Sequence, residues 1–158
     1  GRWARWKERW HLGRQADWLL RRRHETVGQN VAIPIVRAAE FLDFFHREIG
    51  ILPIWICPIR STGAQFPLCP TKAAATYVNF GFWDAVRTPR DAPPGQINRR
   101  IGRKVAEQGG IQSLYAGTFL SRSEFDAAYG GEAYRQLKAR YDPQQRFPDL
   151  YDKLVVRQ

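Results

Sequence analysis

From residue 27 onward the apolar residues alternate between a two-residue and a helical period, and this alternation restricts the fold more than any other property. VGQNVAIPI at 27–35 reads as a strand, with Pro34 near its end where a missing N–H is tolerated. Ala38, Phe41, Leu42, Phe45 and Ile49 then share one helical face, and Gly50 stops that helix. ILPIWICPI at 51–59 is apolar on both parities and predicts a strand buried on both sides. A loop at 61–75 carries Gly63, Pro67 and Pro70. TYVNFGFW at 76–83 predicts a third strand, with Val78, Phe80 and Phe82 on one side and Tyr77, Asn79, Gly81 and Trp83 on the other. After Pro89, Pro93 and Pro94, a second helix is expected from Ile97, Ile101 and Val105, ended by Gly109 and Gly110. IQSLYAGTF at 111–119 predicts the fourth strand. Ser121 to Glu124 is a capping box opening a helix with Phe125, Ala128 and Tyr129 inside. Tyr134, Leu137 and Tyr141 mark one more helix, stopped by Asp142 and Pro143.

That order, β-α-β-β-α-β, predicts an α+β domain: a ferredoxin-like antiparallel sheet with helices 36–49 and 96–108 on one face, plus N-terminal and C-terminal helices. The first and third strands are then central and the second face stays open. The helix side takes Val78, Phe80 and Phe82, each worth about 1.5–3 kcal/mol when buried. Tyr77 and Asn79 are therefore turned to the open face, joined by Gln29 or Asn30 and by Tyr115. Trp55 and Cys57 share one strand face. Buried polar groups without partners cost about 1–3 kcal/mol, so each of these amides and phenols must be paired or must face a site.

Composition excludes several classes. The cysteines, Cys57 and Cys69, are too few for a disulfide framework and lack zinc-site spacing. His11, His24 and His46 are scattered and form neither a triad nor a metal set, so no metal site is expected. There is no phosphate-binding GxxxxGK[ST] loop, no GxGxxG and no apolar run long enough to span a membrane. The chain begins with Gly and contains no Met, which reads as a fragment of a longer protein. Its formal net charge of +10 favours anionic partners or a more acidic neighbour, and equally suits an Arg-rich solvated surface. Residues 2–23 set Trp3, Trp6, Trp10 and Trp18 among arginines. This basic, Trp-rich helical segment suits either a domain-docking face or peripheral contact with a membrane. NFGFW at 79–83 is similar to the RNP1 strand of RNA-recognition modules, which share this topology, but the first strand offers no stacking aromatic. Nucleic acid is therefore not the expected partner.

QNVAIPI (29–35), LPIWICPI (52–59), TYVNFGFW (76–83), GGIQSLYAGTF (109–119), SEF (123–125) and YDPQQRFPDLYDKLV (141–155) occur in that order. This series resembles the C-terminal part of the FAD-linked oxidoreductases related to Delta(24)-sterol reductase, and the basic block resembles actinobacterial members that reduce 10-methylene fatty acyl chains. The resemblance implies that 24–158 is the substrate (cap) domain of an FAD-linked oxidase whose N-terminal FAD-binding domain is absent from this sequence. It implies reduction of a carbon–carbon double bond in a lipid or sterol. FAD would be bound mainly by the missing half, NAD(P)H would be the reductant, and the isolated fragment would be inactive. Tyr115 would be the proton donor, Gln29 and Asn30 would approach the cofactor, and Trp55, Tyr77 and Asn79 would contact substrate. The Arg-rich, Met-free composition suggests a bacterial, cytoplasmic protein, with possible contact at the inner face of the membrane through 2–23. A sugar or alcohol oxidase fragment is the nearest alternative within the same scaffold.

Overall fold

Strand β1, Arg22–Pro34, begins upstream of the apolar run that announces it. Its inward parity continues through Glu25 and Gln29, polar residues that find partners across the core (below). The computed structural model describes residues 22–61, 66, 68–114 and 117–155; of the basic segment at 2–23, residues 2–21 lie outside them, and Arg22 and Arg23 open β1 in place of the expected helix. A 3-10 turn at Ile35–Arg37 leads into α1, Ala38–Glu48. Strands β2, Trp55–Arg60, and β3, Thr76–Pro89, follow, then helix α2, Gln96–Glu107, and strand β4, Ile111–Gln112. Helices α3, Arg122–Ala128, α4, Gly131–Tyr141, and α5, Leu150–Leu154, complete the order.

The sheet order is β2-β3-β1-β4 and every pair is antiparallel, which is the expected split βαβ arrangement with β1 and β3 at its centre. Helices α1 and α2 lie on one face. Phe41, Phe44 and Phe45 from α1 and Ile101 and Val105 from α2 pack with Val27, Val31, Ile33, Phe80 and Phe82 in one core. The Phe45 and Phe82 rings are 4.4 Å apart and tilted. Lys104 to Glu40, at 3.0 Å, and Arg100 to Glu48 tie the two helices together.

Two expectations need correction. Strand β2 is shorter than 51–59 and is not buried on both sides: Trp55, Ile56 and Ile59 are 55%, 47% and 39% exposed. Among the described residues it is the outermost strand, with one neighbour, so its double apolar parity marks an open apolar surface. From this stretch Ile51, in the preceding loop, is buried in the core, and Ile54 packs against it. The fourth strand is likewise shorter than expected, two residues, extended by Ser113 N–H donating to Asn30 O at 2.8 Å. The chain then leaves the sheet, because Thr118 is captured by the C-terminal region in a parallel bridge with Val155. Tyr129 completes that docking, its hydroxyl donating to Gln112 O at 2.7 Å.

The N-terminus of α2 shows how the sheet positions a helix. Gly95, in the left-handed region at φ 70°, precedes the helix and offers no side-chain cap. Glu25 of β1 supplies it instead, accepting from Ile97 N at 3.2 Å and Asn98 N at 2.9 Å. Among the described residues no helix is long and apolar enough to cross a membrane.

Candidate functional site

Strand register fixes what the open face presents. Asn30 and Trp55 both lie opposite Gly81, Gly28 opposite Trp83, and Cys57 and Ala32 opposite Asn79. Parity turns these residues away from the helices. The row is apolar apart from Asn30 and Asn79, and its most exposed members are indoles: Trp55 at 55% and Trp83 at 59%. No hydrogen bond to either indole is present among the described residues.

Two glycines make this surface possible. A Cβ on Gly28 would fall 2.8 Å from Trp83 Cδ1. A Cβ on Gly81 would collide with Asn30 Oδ1 and lie 3.1 Å from Trp83 Cη2 and 3.2 Å from Trp55 Cε3. Trp83 therefore lies along the sheet over both glycines, its five-membered ring above Gly28 and its six-membered ring above Gly81. The side-chain oxygen of Asn30 shares the space at Gly81 with these rings, is buried, and has no hydrogen-bond partner among the described residues. Glycine inside a strand signals such a close approach; paired with an aromatic one position across or two along, it is the signal by which Trp83 was findable in the sequence.

The residues selected from sequence divide as follows. Asn30, Trp55 and Asn79 come together on the open face. Gln29 does not: it is buried on the helix side, donating through Nε2 to Asn98 Oδ1 at 2.9 Å and accepting from Gln112 Nε2 at 2.9 Å. Its expected approach to a cofactor is corrected by strand parity, since Asn30 and Gln29 necessarily point to opposite sides. Tyr77 has the open-face parity but is only 2% exposed, covered by the loop before β3; its hydroxyl accepts from Lys72 N at 3.1 Å. It is a structural anchor of that loop. Tyr115 lies outside the described residues. Phe80 and Phe82 face the core, so of NFGFW only Trp83 offers a stacking ring to the open side. Among the described residues no cluster of His, Cys, Asp or Glu is placed to hold a metal ion.

A separate groove of about 680 Å³ lies on the helix side, between α2 and the 119–124 segment. It is lined in part by Arg99, Gly102, Gln112, Phe119 and Leu120, none of which the sequence singled out as a site.

Over 136 residues the chain is 28% identical to the Delta(24)-sterol reductase of Rattus norvegicus and 27% identical to that of Homo sapiens. In each case the match covers 85% of this chain. The chain is similar to one stretch of the Delta(24)-sterol reductases. The homolog dhcr-24 of Caenorhabditis elegans is 29% identical over 129 residues, and the Arabidopsis thaliana reductase 25% identical over 142. The resemblance read from the ordered motifs is thus found again in whole-chain comparison. The chain spans about a quarter of the length of these reductases, 26% of the rat and human proteins. No protein-family model and no solved structure matches it.

Proposed function

We propose that this chain is the substrate-facing part of an FAD-dependent oxidoreductase that reduces a carbon–carbon double bond in a lipid or sterol. The observation that carries the reading is the open sheet face, with two half-exposed indoles on a glycine floor, in a chain similar to Delta(24)-sterol reductases across most of its length. Such a face fits a flat, apolar molecule and the ring of a flavin. It does not fit a dinucleotide's phosphates, because no glycine-rich phosphate-cradling loop occurs in the sequence. The phosphates would be held by an FAD-binding domain outside this chain, the partner we assign to the open face.

Reduced flavin would supply the hydride for one alkene carbon, NAD(P)H being the donor that regenerates it. The residues here would do the rest. Trp55 and Trp83 orient the apolar substrate and exclude water, which strengthens every polar interaction at the reacting carbons. Asn79 and Asn30 supply polar contacts. Tyr115 is our candidate for protonating the second alkene carbon. The basic segment at 2–23 fits a cytoplasmic enzyme that meets its substrate at a membrane surface. A sugar oxidase is disfavoured by the shortage of polar groups on the face.

The test joins this chain to the flavin-binding part of a Delta(24)-sterol reductase. Under anaerobic conditions NADPH should reduce the flavin, and an alkene-bearing sterol or lipid should reoxidise it with formation of the saturated product. Flavin that stays reduced with every alkene offered overturns the reading. The chain alone is expected to purify without flavin and to leave NADPH unoxidised.

A further inference from the structure

We infer that the side-chain oxygen of Asn30 is the polar anchor of the open face, accepting a hydrogen bond from the hydroxyl of an otherwise apolar alcohol. The inference rests on the proposed reading of that face as the substrate side and narrows its substrate class.

The neighbouring amide gives the contrast. Gln29 has both ends of its carboxamide engaged, at 2.9 Å each. Asn30 Oδ1, one residue on and on the opposite side of the sheet, is buried and accepts no hydrogen bond among the described residues. Leaving such an acceptor dry is costly, and the atoms around it are the wrong kind to relieve it. The part of Trp83 nearest Gly81 is Cη2, at 3.1 Å from the Cβ position, and the part of Trp55 is Cε3, at 3.2 Å. Both are carbon. The indole N–H of Trp83 lies at the other end of the ring, near Gly28, where Nε1 is 3.4 Å from the Cβ position. The ring end that shares the space at Gly81 with the oxygen is therefore the one without the donor. No hydrogen bond among the described residues holds either indole in place, so a ligand can lift a ring edge without breaking one.

The complement of this arrangement is a flat apolar molecule with one donor. A lipid alcohol has that donor. A methylene-branched acyl chain has none along its hydrocarbon length, so the geometry favours the alcohol.

The experiment uses the full chain and three ligands that share one sterol ring system: the alcohol, its methyl ether and its ketone. The last two can accept a hydrogen bond and cannot donate one. Equilibrium binding, with each ligand presented from the same carrier, should favour the alcohol by about tenfold. Asn30→Leu should abolish that preference while the ketone binds as in the parent, which also shows that the variant is folded. Equal binding of alcohol and ketone by the parent overturns the inference. So does an alcohol preference that survives Asn30→Leu, or failure of the parent to bind any of the three. The flavin reoxidation assay separates this from the broader reading. Equal turnover of alkene-bearing alcohol and ketone would sink the anchor and leave the reductase standing. No turnover of either, with the binding preference intact, would do the reverse.

Discussion

Glu25 shows how much a single side chain can hold and how little of it the sequence reveals. Its carboxylate takes two backbone N–H groups at the start of α2 and the side-chain amide of Asn98 at 2.8 Å. The cap and the helix it serves are 73 residues apart. A local reading looks for the cap just before the helix and finds Gly95. Glu25→Gln should lower the unfolding free energy by about 1–3 kcal/mol in urea titrations, since a charge-assisted acceptor is replaced by a neutral one. Asn30 and Gln29 were equally legible as polar residues in an apolar strand, yet only parity relative to α2 tells which faces a site. Gly81 is testable in the same way. Gly81→Ala places a methyl where Asn30 and both indoles already sit, so it should cost about 1–3 kcal/mol and shift the fluorescence of Trp55 and Trp83. An unchanged emission spectrum, with the other tryptophans replaced by Phe, would mean that the indoles are not seated on the glycines.

At the level of elements, local signals in the sequence specify caps and periods, whereas edge effects have no local signature. The capping box at Ser121 and Glu124 is present as the four-residue spacing implies, with Ser121 N donating to Glu124 Oε2 at 2.7 Å. Ser121→Ala should cost about 1 kcal/mol, seen as a lower melting temperature. The exposure of β2 is not legible in the sequence, because apolarity on both parities is common to a central strand and to an edge strand that waits for a neighbour. The fourth strand was overestimated because no local signal shows Thr118 being drawn to Val155. The turn after α4 carries a pH dependence of its own. A hydrogen bond from Lys138, with further N–H donors from Phe147 and Arg146, holds the Asp142 carboxyl below its ordinary range, and the same pair raises Lys138. The carboxylate's contribution is present above its unfolded pKa and is lost as pH falls through the lower folded value. The ammonium's contribution disappears only as pH rises through its raised value. The protection of the Arg146 and Phe147 amides, taken relative to their intrinsic exchange at each pH, should therefore fall on acidification, and Asp142→Asn should lower it at neutral pH as well.

Across the whole molecule, the α+β class, strand order and helix face followed from alternating periods, whereas the seam between the sheet and the C-terminal helices did not. Tyr129 closes that seam, and burial pushes its phenol up to about 12. A raised phenol stabilises the fold fully below its unfolded pKa, ordinarily 10.0, and loses that contribution as pH rises toward the folded value. Stability should decline across this window in the parent, and Tyr129→Phe should flatten the decline. The long pairing of β1 with β3 carries a different implication. The two run together from Arg22–Pro89 to Pro34–Tyr77, but β2 reaches only as far as Gly81 and β4 touches only Val31 and Ala32. Among the described residues no strand pairs with the outer sides of 22–29 and 82–89, where alternate backbone donors and acceptors point outward. Among the described residues the sheet is thus four strands wide only beside Val31 and Ala32, and two strands wide along 22–29 and 82–89. Two vacant valences remain along its ribbon, and a strand that fills one widens the floor beneath the indoles by about 4.8 Å.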